Sequence, residues 1–363
     1  MRKENLTVLT DFFASGCKKE QFFGIELEHF VVSKETGTPL PYQNGVAEIL
    51  HRFAPIFGTP IFSDGQIIGI TGENAEISLE PASQLEISVR PSSCHEEIRK
   101  IYADFFSKIS PILSDFNCEL LCTGMLKDAE KLPLIPKKRY ELMDAHFKKT
   151  GTHGLKMMRS TAAAQISIDY ESESDFSKKF RIANVLTPIF SFLCDTTGKM
   201  GRTHIWNNVD PARSGIVPKS LDEPFGFLDY ANYIYDMPPI FIMPENEPVC
   251  AGNAPNSEIF AAKILTRADV EHITSMAFPD VRLQNRIEIR SADSLPIEKT
   301  LEFAALLKKI FYNEENSDKL LRLTRDVKNI DVIEAKKSLI MHGADAEIYK
   351  KPVRTWMQEL ENL

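Results

Sequence analysis

Four short stretches of the chain alternate apolar and polar side chains with a period of two: Gly24–Phe30, Gln84–Arg90, Ala164–Tyr170 and Asn285–Arg290. Successive side chains on a strand point to opposite faces, so this pattern predicts strands with one aliphatic and one polar face. In the first, Ile25 and Leu27 oppose Glu26 and Glu28. In the second, Leu85, Ile87 and Val89 oppose Gln84, Glu86, Ser88 and Arg90. In the third, Ile166 and Ile168 oppose Gln165, Ser167 and Asp169, and in the fourth Ile287 and Ile289 oppose Arg286, Glu288 and Arg290. Elsewhere the period lengthens to three or four. It is clearest in Ser92–Phe116, where Ile98, Ile101, Tyr102, Phe105, Phe106 and Ile109 recur behind a Ser-Ser start, with Glu96 and Glu97 in the first turn. That spacing predicts a helix. Similar patterns predict helices over about Leu6–Gly16, Asp175–Asp195, Ile297–Tyr312 and Ser317–Met341. Helices with apolar stripes, covering the aliphatic faces of strands, predict an α+β layered fold.

The polar strand faces carry the chemistry. Any one of them reads most plainly as the solvated side of an amphipathic strand. Taken together they lack lysine, and two of them carry Glu and Arg at alternate positions. Carboxylates crowded on one face repel unless protonated or bridged by cations. Hard divalent cations take oxygen ligands, and arginine grips carboxylate and phosphate through a planar fork. His29 lies on the aliphatic side of its strand and reads as a satisfied buried histidine rather than a ligand.

Composition narrows the setting. The 363 residues carry a net charge of −8, which argues against nucleic acid or an anionic membrane as the main partner. No run of about 18 apolar residues predicts a membrane span, and the charged N-terminal stretch lacks the apolar core of a signal peptide. The six cysteines form neither a CxxC pair nor a His/Cys cluster with zinc-like spacing, so they read as reduced thiols of a cytoplasmic protein. Glycine and proline are scattered, and there is no internal repeat, so residues 1–363 are expected to form a single catalytic domain.

Six segments resemble, in order, the motifs of the plant-type glutamate–cysteine ligases, a family also found in bacteria. They are Gly24–Glu28 (GIELE), Ser78–Ser88 (SLEPASQLEIS), Lys138–Met143 (KRYELM), Met158–Asp169 (MRSTAAAQISID), Arg202–Trp206 with Asp210–Gly215 (RTHIW and DPARSG), and Phe278–Leu283 with Arg286–Asp293 (FPDVRL and RIEIRSAD). The resemblance implies a glutamine-synthetase-like fold, with a strongly curved, largely antiparallel sheet and helices packed on its convex face. It also implies ATP-dependent joining of the γ-carboxylate of glutamate to the amine of cysteine through a γ-glutamyl phosphate, with Mg²⁺ or Mn²⁺ as cofactor. Carried over residue by residue, it implies metal ligands at Glu26, Glu28, Glu80, Glu86 and Glu288. It places Arg290 at the transferred phosphate, with Arg286 beside it and Gln165 in support. Arg202, Arg213, Arg139, Tyr140 and Trp206 are implied to serve substrate or nucleotide.

The chain departs from the family pattern at Ala82 and Ser83, where glycines are usual, and at Ser167, where Asn is common. These departures leave the carboxylates intact and bear on the acceptor amine. The alternatives are therefore a γ-glutamyl ligase using another amine or amino acid, or a non-catalytic nucleotide- or metabolite-binding relative. Oligomeric state is not legible.

Overall fold

The structure, a computed structural model, describes residues 1–222, 224–244 and 247–363. Its centre is strand β1 (Phe23–Ser33), longer at both ends than the alternation predicts. The remaining strands of the main sheet are β2 (Gly58–Ser63), β3 (Gln66–Gly72), β4 (Ala75–Leu79), β5 (Leu85–Ser92), β6 (Cys118–Leu121), β7 (Ala163–Ile168), β8 (Val281–Leu283) and β9 (Ile287–Asp293). Their order is β8-β9-β7-β1-β5-β4-β3-β2, with β6 paired to the far end of β1. Every pairing in this nine-stranded sheet is antiparallel. The four predicted strands thus lie side by side at its middle. Strands β2, β3 and β4 extend the sheet in a region where no alternation was read.

The glutamine-synthetase-like, strongly curved sheet is not what forms. The antiparallel α+β layering is present, but the sheet is open, with β8 and β2 as free edges, and it is neither closed nor strongly curled. Curling takes bulges or glycine kinks repeated from strand to strand. Here the register shifts only at Phe23/Ile25, Ile61/Phe62 and Ile289/Ala292. Long helices then pack along the aliphatic face of a sheet that is twisted and bent only locally.

Those helices are Ala47–Phe57, His95–Asp115, Glu173–Leu193 and Ile297–Phe311. Their apolar stripes join Ile25, Leu27, Ile87, Ile166, Ile168, Ile287 and Ile289 in one large cluster that runs from Leu9 to Leu360. His29 is fully buried there, with its ring nitrogens on the Leu85 carbonyl (3.2 Å) and the Tyr102 hydroxyl (2.9 Å). Burial pushes its pKa down to about 4, so it is neutral and structural. The helix predicted over Ser317–Met341 is two, Glu314–Leu323 and Asn329–His342. The break is fixed from elsewhere in the chain: buried Arg181 donates to the carbonyls of Thr324, Arg325 and Val327. No helix among the described residues is long and apolar enough to cross a membrane.

The turn between β4 and β5 explains one departure noted above. Ser83 has φ +71°, the left-handed region that glycine enters without a Cβ penalty, whereas Ala82 does not. The Ser83 hydroxyl is also buried without a hydrogen-bond partner. Ser83→Gly is therefore expected to stabilise the fold by about 1 kcal/mol, from relieved strain and a removed buried hydroxyl. Thermal denaturation would show it; a lower midpoint for the variant would refute this account of the turn.

Candidate active site

Cross-strand register converts the sequence pattern into a site. On β1 and β5 Glu28 stands directly opposite Glu86, and on β4 Ser78 lies opposite Glu86 in turn. One pleat along, Gln165 of β7, Glu26 of β1 and Ser88 of β5 form a row. On the next row Glu288 of β9 is flanked by Ser167 of β7 and Arg282 of β8. Like charges placed opposite one another destabilise a sheet, so this face is shaped by something other than stability.

Hydrogen bonds tie the rows together. Glu28 accepts from the Ala163 amide (2.7 Å) and from Gln165 Nε2 (3.0 Å). Gln165 Nε2 also reaches Glu86 (3.4 Å), while Ser78 donates to Glu86 from the other side (2.9 Å). The Gln165 oxygen accepts from Arg290, whose same nitrogen contacts Glu288. Glu288 is fully buried and held by Arg282 at 2.8–3.0 Å. Glu80 sits at the β4–β5 turn. The Leu79 carbonyl beside it accepts from Lys137 Nζ (3.0 Å) and the Tyr140 hydroxyl (3.3 Å). Gln84 pins the turn from the other side, accepting from the Ala82 amide and donating to the Thr161 carbonyl.

These groups enclose a cavity of about 260 Å³. Glu26, Glu28, Glu80, Glu86, Gln165, Arg139, Tyr140, Arg282, Arg290 and Trp206 line it, together with Met143, Met157, Met158 and Phe278. Glu26 is shared with an adjoining outer trough of about 510 Å³, where Arg286, Arg90, Glu73 and Glu76 stand. Arg286 lies 3.6 Å from Glu26 and donates to Ser167 (3.1 Å). A larger concavity of about 870 Å³ lies between helix Glu173–Leu193 and the Phe311–Leu321 segment. Its lysines are already paired, Lys178 with Asp318 and Lys179 with Asp175.

The electrostatics divide the site in two. Burial, followed by repulsion from Glu80, raises the Glu28 carboxyl to about 8. Burial and then Glu26, Glu80 and Glu28 push Glu86 well above the usual carboxylate range, and burial and then Glu288 raise Glu26. Glu288 moves the other way. Burial alone would raise it, but Arg282, Arg290 and Arg286 outweigh that and bring it to about 2. Among the described residues, no three Asp, Glu, His or Cys side chains are arranged to cage a metal ion by themselves.

Four of the five carboxylates singled out from the sequence, Glu26, Glu28, Glu80 and Glu86, therefore line one cavity with Gln165 and Arg290. Glu288 lies beneath them, paired to arginines and not exposed to the cavity. Arg286 stands in the outer trough. Trp206 lines the cavity, and the guanidiniums of Arg202 and Arg290 lie over its ring at 5.5 and 5.8 Å. Arg202 donates to the Arg290 carbonyl (3.0 Å) and lines a small recess behind Trp206. Arg213 is not brought to the site: it is buried, with its Nε on Asp210 (2.6 Å). Sequence reasoning missed Arg282 and Ser78. The signal for Arg282 was the short β8–β9 hairpin, which sets it opposite Glu288.

An open antiparallel sheet whose polar face gathers partly buried carboxylates and arginines around one cavity forms the candidate site. The sequence profile of glutamate–cysteine ligase family 2 (GCS2) matches residues 22–337, and the chain belongs to this family. It is similar to the chloroplastic glutamate–cysteine ligase of Nicotiana tabacum, with 32% identity over 352 residues, covering 90% of this chain and 66% of the relative. The Arabidopsis thaliana enzyme of the same name is 30% identical over 340 residues, covering 88% and 65%. The chain thus spans about two-thirds of the length of these relatives. Its fold is similar to that of a Francisella tularensis glutamate–cysteine ligase solved in complex with AMP. The TM-score is 0.52 at 12% identity, over 95% of this chain and 78% of the other.

Proposed function

We propose that this chain is an ATP-dependent ligase that joins the γ-carboxylate of glutamate to the amine of cysteine, acting as one catalytic unit. One large hydrophobic cluster that runs from Leu9 to Leu360 supports the last point. In this reading the γ-phosphoryl group of ATP passes to a γ-carboxylate oxygen, leaving ADP and an acyl phosphate. The amine then attacks the acyl carbon, loses a proton, and expels phosphate.

The residues fit a divalent cation such as Mg²⁺ or Mn²⁺. Glu28 and Glu86 face one another in the cavity with no cation within ion-pair distance among the described residues. Mg²⁺ characteristically takes one or two carboxylates plus substrate phosphates, so a ready-made protein cage is not required. Glu26, Glu28, Glu80 and Glu86 would hold such an ion, and its chemistry when bound is to neutralise and polarise the phosphates. Arg290, steadied by Gln165 and Trp206, presents its guanidinium to the phosphoryl oxygens as charge develops there. Arg286 meets the nucleotide side of the trough. Arg139 and Tyr140 at the opposite wall suit an amino-acid carboxylate. The cavity walls of Met143, Met157, Met158 and Phe278 keep water from the acyl phosphate. Arg202 supports Arg290 from behind, and for Arg213 we infer a structural role in its loop.

The observation that carries this reading is the Glu28–Glu86 pair joined through Gln165 to Arg290 in one cavity of a GCS2 chain. The test is acceptor profiling with glutamate, ATP and Mg²⁺, following ADP and the γ-glutamyl product together. Cysteine is expected to be the best acceptor. Equal turnover with many amines would replace cysteine with a broader acceptor class. No glutamate-dependent ADP with any acceptor would end the ligase reading.

A further inference from the structure

We infer that Arg282 is a positioning residue for phosphoryl transfer, holding the Arg290 guanidinium in place through the carboxylate of Glu288. The inference rests on the ligase reading above and deepens it.

The β8–β9 hairpin sets Arg282 directly opposite Glu288, so the two side chains share one face at the closest cross-strand distance. Arg282 engages both carboxylate oxygens: Nε to Oε2 at 3.0 Å, Nη2 to Oε2 at 2.8 Å and Nη2 to Oε1 at 3.0 Å. Such a planar, two-point grip fixes direction as well as distance, which a lysine ammonium does not do. Glu288 is fully buried and cannot turn toward water. Its Oε1 is shared with Arg290 Nη1, and that same nitrogen meets the Gln165 oxygen. Arg290 therefore has its place set by two fixed acceptors and the indole face of Trp206. Released from Arg282, the Glu288 carboxylate would be free to rotate about its own axis, and Arg290 would follow it.

A structural ion pair is the competing account. Buried pairs add little to stability over apolar residues of the same shape. This pair, moreover, lies at the cavity edge: Arg282 lines the cavity while Glu288 lies under it. Two guanidiniums on one carboxylate also exceed what neutralising Glu288 requires. Losing one of them leaves the other as counter-charge, so variants at Arg282 are expected to fold.

The test uses the full chain and follows ADP release, product formation and the thermal midpoint for Arg282→Lys, Arg290→Lys and the double variant. Arg282→Lys is expected to lower kcat about 10²-fold through misplacement of Arg290. The KM for the acceptor amine should stay within about twofold, because only the phosphoryl centre is disturbed. Groups that act as a unit are not additive, so adding Arg282→Lys to Arg290→Lys should cost no more than about threefold further. A structural role would lower the midpoint and leave kcat of the folded protein intact. If Arg282→Lys does not fold, Arg282→Gln is measured in the same cycle. Native turnover with an Arg282 variant within about threefold of it, or fully multiplicative effects in the double variant, would overturn the inference and leave the ligase reading standing. A native chain that releases no ADP with glutamate and any acceptor removes both.

Discussion

Glu28→Gln is expected to lower glutamate-dependent ATP turnover by on the order of 10³-fold while raising the thermal midpoint of the ligand-free protein. The two effects have one cause. Glu28 faces Glu86 across the β1–β5 pair, and burial with Glu80 nearby lifts its carboxyl to about 8. A charge here is unwelcome in the empty site and useful only when a cation arrives. The amide keeps the shape and its oxygen can still accept from the Ala163 amide, while Gln165 Nε2 loses one acceptor and keeps its contact to Glu86. Removing the charge should stabilise the ligand-free fold by roughly 1–3 kcal/mol above neutral pH, or several degrees. Steady-state ADP release and differential scanning calorimetry on the same preparation would measure both. Near-native turnover would take Glu28 out of the cation site, and a destabilised variant would contradict the picture of mutually repelling carboxylates.

The stability of the ligand-free protein should fall as pH rises from 6.5 to 8, and Mg²⁺ should restore it most at the alkaline end. The sign follows from where each state binds protons. Glu28 has a folded pKa of about 8 against an ordinary 4.5. Between those values the folded chain holds the extra proton, so its stabilising contribution is complete below 4.5 and is lost as pH climbs through 8. Glu86 and Glu26 are displaced in the same direction and add to the slope. His29 acts oppositely but lower down: its folded value of about 4 against 6.5 makes acid destabilising between those limits. Above 6.5 the carboxylates therefore govern. A cation that binds only the folded chain adds about 2.7 kcal/mol at a hundredfold excess over its Kd, and it competes with protons for the same oxygens. Melting curves at pH 6 and pH 8, with Mg²⁺ or with a chelator, would test this. A larger Mg²⁺ effect at pH 6, or none at either pH, would contradict a carboxylate-bound cation.

Much of this site was legible because a strand repeats every two residues. Glu26 and Glu28 had to share a face, as did Glu288 and Arg290, whatever the rest of the chain did. Local pattern could not say which strands become neighbours. The pairing of Glu28 with Glu86 and of Glu26 with Gln165 comes from register across segments roughly 60 to 140 positions apart in the sequence. The same limit explains Glu288 and Arg213. Each carries the residue type that the site chemistry favours, yet Glu288 is covered and held by Arg282 and Arg290, and Arg213 is turned inward to Asp210. Strands β2 and β3 were missed because glycine and proline at Gly58, Pro60, Gly69 and Gly72 blur their alternation.

By itself, the sequence determined which side chains share a polar face and which helices could cover the aliphatic one, since both follow from fixed backbone periods. The tertiary structure alone decided that the sheet stays open, which carboxylates reach the cavity, and how far their charges are disfavoured there. Those outcomes depend on distance and desolvation summed over contacts between remote segments, and no local period encodes them.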